Sequence, residues 1–261
     1  MNRIEERFAT LKERNERAFV PFITAGDPTL EYTAKLVRAL DAAGADIVEL
    51  GVPFSDPLAD GVVNQEAAMR ALKHDVDLEH ILAMVKDVRE ASDVPIILFT
   101  YYNPVLAYGI DALAKDSRAA GIDGILCVDL PPEEAADLRA AFSKEGLSTV
   151  FLLAPTSTEE RIKLIAESSS GFIYYVSRTG VTGEQDKIDE TVPHMVAKIK
   201  SFADLPVCVG FGISNPDQAA EVAALADGVV VGSAIVRMIG RLGESESMPQ
   251  EVGAFVRTLV E

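Results

Sequence analysis

The 261-residue sequence contains no run of 18 or more apolar residues, which argues against a transmembrane helix. The first residues, MNRIEERFATLKERNERA, are charged throughout and lack an apolar core, so they do not read as a secretory signal. Cysteine is scarce. Cys127 and Cys208 both lie inside apolar runs, where buried, reduced thiols and a cytoplasmic location are expected. Basic residues are also in short supply, 24 against 41 acidic for a net charge of −17, which works against nucleic acid and anionic membrane as partners. The three histidines, His74, His80 and His194, sit in helical, polar surroundings without ligand spacing, so no metal is expected. Gly and Pro together number only 31, too few for a disordered chain.

What is present is a full-sized apolar complement, 48% of residues, arranged with a strict rhythm. Eight short apolar runs read as strands: AFVPFIT (18–24), DIVELG (46–51), PIILFT (95–100), GILCVDL (124–130), TVFLLA (149–154), FIYYVS (172–177), PVCVGF (206–211) and GVVVG (228–232). Segments of helical spacing separate them, such as LEYTAKLVRALDAAG and PEEAADLRAAFSKEG, ending in Gly44 and Gly146 as helix C-termini commonly do. Alternating strands and helices imply parallel βαβ units. Eight units in this length predict a single (β/α)8 TIM barrel filling residues 1–261. Ile4, Phe8 and Leu11 fall at helical spacing, which predicts an extra amphipathic N-terminal helix. AGADIVELG, AGIDGILCVDL and ALADGVVVG each place an Asp (Asp46, Asp123, Asp227) just before a strand, as repeated αβ turns of one ancestral unit would. A doubly wound open sheet is the alternative, but ITAGDPT after the first strand is not a Gly-rich dinucleotide loop.

In a barrel, functional groups cluster where strands end and βα loops begin. Glu49, Asp60, Asn103, Asp129, Arg178, Thr182, Gly212 and Ser233 all fall there. Side chains alternate along a strand, so Val48 and Leu50 facing the helices turn Glu49 into the barrel mouth. Partial desolvation raises such a carboxyl, to about 6–7, where it can serve as acid and base. Asp60 follows 11 residues later, far enough for a loop that folds back over the mouth, and two carboxyls in different environments can divide the labour. A buried, salt-bridged acid at Glu49 and a helix N-cap at Asp60 are the structural alternatives; Asp56 reads as a turn residue.

The segments VGFGISNP (209–216) and VGSAIV (231–236) follow the last two strands, where this fold commonly builds a phosphate site. Gly212 permits close backbone approach, and Gly232-Ser233-Ala234 can open a short helix with free N–H groups. Neither segment contains Lys or Arg, so an anion there is held by backbone, a local attraction within an acidic chain. RTGVTGEQDK (178–187) is long enough for a lid.

The combination resembles a known family. ELGVPFSDPLADG (49–61) is similar throughout to the hallmark segment of the tryptophan synthase alpha subunits. PFITAGDP (21–28), YYNP (101–104), VDLPPEE (128–134), SRTGVTG (177–183), GFGIS (210–214) and GSAIV (232–236) match the same family in order. The resemblance implies retro-aldol cleavage of indole-3-glycerol phosphate to indole and glyceraldehyde 3-phosphate, without metal or organic cofactor. It implies Glu49 as principal acid/base, Asp60 as the partner of the indole N–H, Tyr174 as a catalytic-site tyrosine and Thr182 as the lid threonine that helps hold the Asp60 loop closed. Phe22 and Leu126 would line the indole pocket, and Arg178, Gly180, Gly212, Ile213, Gly232 and Ser233 the phosphate end. From the residues alone, Tyr174 reads first as a core position. The implied partner is a tryptophan synthase beta subunit in an alpha2beta2 assembly, touched by the Pro53–Asp60 loop and the YYNP region.

Two positions depart from the pattern. Val62 stands where the family has a loop-stiffening proline, and Asn64 where an apolar residue faces the indole. They leave open a binding subunit that mainly activates beta. Another phosphate-binding barrel enzyme, an isomerase or synthase, would share the late loops but not ELGVPFSDPLADG.

Overall fold

The computed structural model describes residues 2–177, 191–210 and 212–260. Its strands are β1 (Ala18–Thr24), β2 (Val48–Gly51), β3 (Ile96–Thr100), β4 (Gly124–Cys127), β5 (Ser148–Val150), β6 (Leu152–Leu153), β7 (Ile173–Val176), β8 (Val207–Gly210) and β9 (Gly228–Val231). The helices of the first half are α1 (Arg3–Arg14), α2 (Leu30–Ala42), α3 (Val62–Ala71), α4 (Leu78–Val88), α5 (Tyr102–Tyr108) and α6 (Ile110–Ala120). Those of the second half are α7 (Ala136–Lys144), α8 (Glu159–Ser168), α9 (Thr191–Lys200), α10 (Pro216–Ala223), α11 (Ser233–Leu242) and α12 (Met248–Val260). All paired strands are parallel, in the order β5-β4-β3-β2-β1-β9-β8-β7-β6.

The two ends of that order, β5 and β6, are halves of one run divided at Phe151, so nine strand segments make eight barrel staves. The backbone N–H of Tyr174 donates to the Phe151 carbonyl across the break. Following the pairing one way round leads from Phe22 through Glu49, Ile97 and Gly124 to Ser148. The other way leads from Ala18 through Gly228, Cys208 and Tyr174 to Leu152. The paths are offset by about four residues at each meeting strand, a total stagger of about eight, which is the shear of a (β/α)8 barrel.

Alternation divides the core in two. Val48 and Leu50 join the cluster between strands and helices, whereas Ile47, Ile97, Leu126, Phe172 and Cys208 fill the barrel interior. The amphipathic stripe of α1 belongs to that interior cluster: Ile4, Phe8 and Leu11 plug the N-terminal end of the barrel. The Phe8 and Phe172 rings are centred 5.8 Å apart, and Ile4 occupies space left by Gly124 and Gly171, where an added Cβ would come within 3.4 and 3.2 Å of it. Burying each such side chain contributes about 1.5–3 kcal/mol.

The three repeated aspartates share one role at this end. Asp46, Asp123 and Asp227 each donate a backbone N–H to the carbonyl of a residue starting the preceding stave, and accept that residue's N–H with a side-chain oxygen. The partners are Phe19, Ile96 and Val207, with side-chain bonds of 2.7, 2.9 and 2.9 Å. Each also meets a cation: Arg7 at Asp46, Arg3 and Arg89 at Asp123, and Lys200 at Asp227. Ser170 does the same for Thr149, with its hydroxyl in place of the carboxylate. Four alternate stave pairs are thus clipped at one end, leaving the other end to loops.

Candidate active site

Glu49 sits on β2 between Phe22 of β1 and Ile97 of β3, facing inward as its strand parity dictates. It is 1% exposed, and its Oε1 has no hydrogen-bond partner among the described residues. No cation among the described residues pairs with it. Burial alone pushes its carboxyl up to about 8, above the 6–7 expected from the strand pattern, because no donor offsets the desolvation.

Tyr174 projects inward from β7. Burial and the Glu49 charge both raise its hydroxyl well above the usual phenol range, which places the two groups in one electrostatic neighbourhood. The core alternative for Tyr174 is partly met, since it is mostly buried and packs against the interior cluster. Two glycines make this crowding possible. A Cβ on Gly210 would lie 2.5 Å from the Tyr174 hydroxyl, and one on Gly51 would lie 2.6 Å from the Phe22 ring. Phe22 meets Phe99 edge-on at 5.1 Å, and Phe99 is register partner to Leu126. Phe22, Phe99 and Leu126 therefore wall one side of the mouth, Phe99 being a member that the sequence pattern did not single out.

Asp60 lies at the end of the loop between β2 and α3. Its Oδ2 accepts from the Tyr101 hydroxyl at 2.9 Å, and the same hydroxyl accepts from the Ala59 N–H at 3.0 Å. Phe54 stacks obliquely on Tyr101 at 5.0 Å, so one side chain from the β3 loop pins both ends of the segment. Partial burial raises the Asp60 carboxyl, opposed by hydrogen bonds from Tyr101 and Asn64. Tyr101 itself is raised by burial and then by Asp60, and stays a proton donor. The N-cap of α3 is Gly61, which frees Asp60 from that alternative role. Asp56 is exposed, and its carbonyl accepts from Leu58 in a turn, as expected.

The phosphate-end residues start with α11. Gly232 occupies its N-cap without a side-chain cap, and Ser233 and Gly212 are exposed while Ile213 is buried. The first-turn N–H groups of such a helix have no partner within it and favour an anion. The helix has ten residues, longer than the short one expected. A Cβ on Gly232 would come within 3.4 Å of Phe22, so the aromatic wall and the helix start meet at one residue. The neighbouring loop is internally engaged: the Ser214 N–H donates to Gln218, and Asn215 caps α10. Arg178, Gly180 and Thr182, and the whole lid expectation, lie outside the described residues. Among the described residues no three His, Cys, Asp or Glu side chains gather where a metal could bind, and no helix is long and apolar enough to cross a membrane.

The arrangement is a buried lone carboxyl, a hydrogen-bonded second carboxyl on a loop, an aromatic wall, and a helix start beyond it. Known proteins share both chain and fold. The family model described as tryptophan synthase alpha chain matches residues 8–261. The tryptophan synthase alpha chain of Geobacter sulfurreducens is 53% identical over 261 residues, covering 100% of this chain and 98% of that one. That of Geotalea uraniireducens is 52% identical over 259 residues, covering 99% and 97%. Among solved structures, tryptophan synthase subunit alpha from Legionella pneumophila superposes with a TM-score of 0.89 at 39% identity, covering 99% of this chain and 97% of its own. A chain of the tryptophan synthase complex from Pyrococcus furiosus gives 0.85 at 38% identity, covering 93% and 97%. With the hallmark loop, the barrel and near-complete coverage in agreement, the chain belongs to the tryptophan synthase alpha chain family.

Proposed function

We propose that this lyase cleaves indole-3-glycerol phosphate with Glu49 as principal acid/base and Asp60 as the group that receives the indole N–H. Breaking the carbon–carbon bond requires a proton on indole C3 and removal of one from the side-chain hydroxyl, after which indole and glyceraldehyde 3-phosphate separate. A carboxyl poised at about 8 exists in both forms near neutral pH and can give and take a proton within one turnover. As the ring is protonated, positive charge spreads to its nitrogen, and an anionic Asp60 against the N–H stabilises it. Phe22, Phe99 and Leu126 hold the ring by apolar contact, while Tyr174 crowds the Glu49 side of the mouth. Gly212, Ile213, Gly232 and Ser233, with Arg178 and Gly180, receive the phosphate, and Thr182 helps close the Asp60 loop. The observation that carries this reading is the buried Glu49 carboxyl, its Oε1 without a partner among the described residues, at the end of an otherwise apolar strand.

The proposal includes a tryptophan synthase beta subunit that receives the indole in an alpha2beta2 assembly, and a cytoplasmic location. Leu58 on the Asp60 loop is 81% exposed and Leu106 on α5 is 52% exposed. Leu58 lies within the loop assigned to that contact and Leu106 two residues beyond the YYNP segment assigned to it. The test is indole release from indole-3-glycerol phosphate by the purified chain, alone and with a beta subunit. Slow release that rises strongly with beta is expected, since loop closure then waits on the partner. Release that beta leaves unchanged would remove the partner from the account, and no release in either condition would remove the lyase assignment of these residues.

A further inference from the structure

One buried carboxylate has no role in the scheme so far. Among the described residues, four carboxyl side chains are buried: Asp27, Asp46, Glu49 and Asp123. Glu49 belongs to the mouth, and Asp46 and Asp123 clip the opposite end of the barrel. Asp27 is 1% exposed and lies just past β1 on the mouth side, where the neighbouring Ala25 N–H donates to the Gly51 carbonyl at the end of β2. Both of its oxygens are taken by Arg70 of α3: Nε donates to Oδ1 at 2.7 Å and Nη2 to Oδ2 at 2.8 Å. The same guanidinium lies against α11, since a Cβ on Gly240 would come within 2.8 Å of Nη2 and 3.1 Å of Cζ. Nearer the helix starts, Ala67 of α3 and Val236 of α11 pack with Phe22. Ala67 precedes Arg70 by three positions and Val236 precedes Gly240 by four, so the helices meet along one face of each. Gly26, at φ +85°, completes the junction: a Cβ there would lie 2.7 Å from Val76 and 3.2 Å from Ala71, the last residue of α3.

α3 begins directly after Asp60 and Gly61, and α11 begins at Gly232 and Ser233. The two helices therefore carry the two ends of the proposed site, the carboxylate for the indole N–H and the phosphate cradle. We infer that the Asp27–Arg70 pair is a positioning device that fixes α3 against α11 and the β1 loop, and so sets the span between those two ends. The inference rests on the reading of the site given above. Net stability is not a sufficient reason for the pair, because a buried ion pair gains little over well-packed apolar side chains of similar volume. A bidentate guanidinium–carboxylate contact adds what they lack: its planar fork fixes both distance and angle. A substrate gripped at both ends reacts only when the grips are correctly spaced, and a misplacement of about 1 Å can cost about 100-fold in rate.

The test uses Arg70→Lys, which keeps the charge and loses the fork, and Gly240→Ala, which keeps both partners and pushes the guanidinium from the α11 side; either suffices where the other fails to fold. NMR titration of each full-length chain measures affinity for three probes: glycerol phosphate for one end, indole for the other, and an indolylalkyl phosphate that spans both. Indole release in the presence of beta subunit gives kcat/KM. Each short probe should bind within about twofold of its affinity for the unmodified chain, while the spanning probe and kcat/KM both lose about tenfold or more. A pair that merely stabilises the fold would lower the melting temperature and, well below it, leave every one of these quantities unchanged. That result in a folded variant overturns the inference, as does equal weakening of short and spanning probes. An unmodified chain that neither binds the spanning probe nor releases indole would instead overturn the reading of the site, and the inference with it.

Discussion

Replacing Glu49 by Gln should make the protein more stable, and by an amount set by pH. The side chain is 1% exposed and Oε1 has no partner among the described residues, so the folded state holds the carboxyl at about 8, whereas its ordinary value is 4.5. The folded form therefore binds a proton that the unfolded chain releases once the pH passes the lower value. The contribution of Glu49 to stability is intact below 4.5, falls as pH rises, and levels off beyond about 8. Each pH unit in that window costs about 1.4 kcal/mol, so the full span amounts to roughly 4–5 kcal/mol as an order of magnitude. Glutamine has the same shape and the same polar burial but does not titrate. The two proteins should be nearly equal in stability near pH 5 and should separate steadily up to pH 8, with the variant ahead by several kcal/mol. Urea unfolding of both, at half-unit steps from pH 5 to 9, measures the difference, and every other titrating group cancels in the comparison. Parallel curves, with a gap that ignores pH, would show that Glu49 is ionised in the folded protein and that the isolated-carboxyl argument is wrong.

Three further substitutions probe the frame around that carboxyl. Gly210→Ala places a Cβ at 2.5 Å from the Tyr174 hydroxyl; the ring must move, and kcat/KM should fall by about tenfold or more with little change in melting temperature, which steady-state kinetics beside calorimetry will show. Asp123→Ala leaves the Ile96 N–H without its acceptor and the Arg89 side chain, 11% exposed, without its counter-charge. Unfolding should become easier by about 3–5 kcal/mol in denaturant titration, even though burial holds this carboxyl above its ordinary range. Val62→Pro should add about 0.4–1 kcal/mol: the residue is the first of α3, 62% exposed, at a position where proline's fixed φ suits the helix and its missing N–H goes unused.

Much of this architecture is legible in the amino-acid order because a parallel barrel imposes strong local patterns. Strands buried on both faces read as continuous apolar runs, and Gly44 and Gly146, both at positive φ, close their helices as expected. The direction of Glu49 follows from strand parity, since Val48 and Leu50 pack outward. The recurrence of Asp before three strands pointed to a repeated unit, and its side-chain clips to the preceding stave are the physical reason for the repeat. What was not legible depends on distant partners. The break at Phe151 in the fifth run comes from closure of the barrel, and the plugging role of α1 from Gly124 and Gly171, more than a hundred residues away. Tyr101 stood in plain view within YYNP, but its grip on Asp60 is a contact between two loops 41 positions apart. The full rise of the Glu49 carboxyl was underestimated because a sequence shows burial but not the absence of a donor. Asn64 was visible as a departure, but that its Oδ1 is buried without a partner among the described residues was not.

The claim on which the rest depends is that Glu49 moves the protons. The measurement that tests it most directly is indole release by Glu49→Gln, together with binding of a phosphate-bearing substrate analogue, in the presence of beta subunit. The account predicts a loss of at least about 100-fold in turnover with analogue binding retained. Turnover at the level of the unmodified chain would contradict it and send the acid/base role to another residue of the mouth.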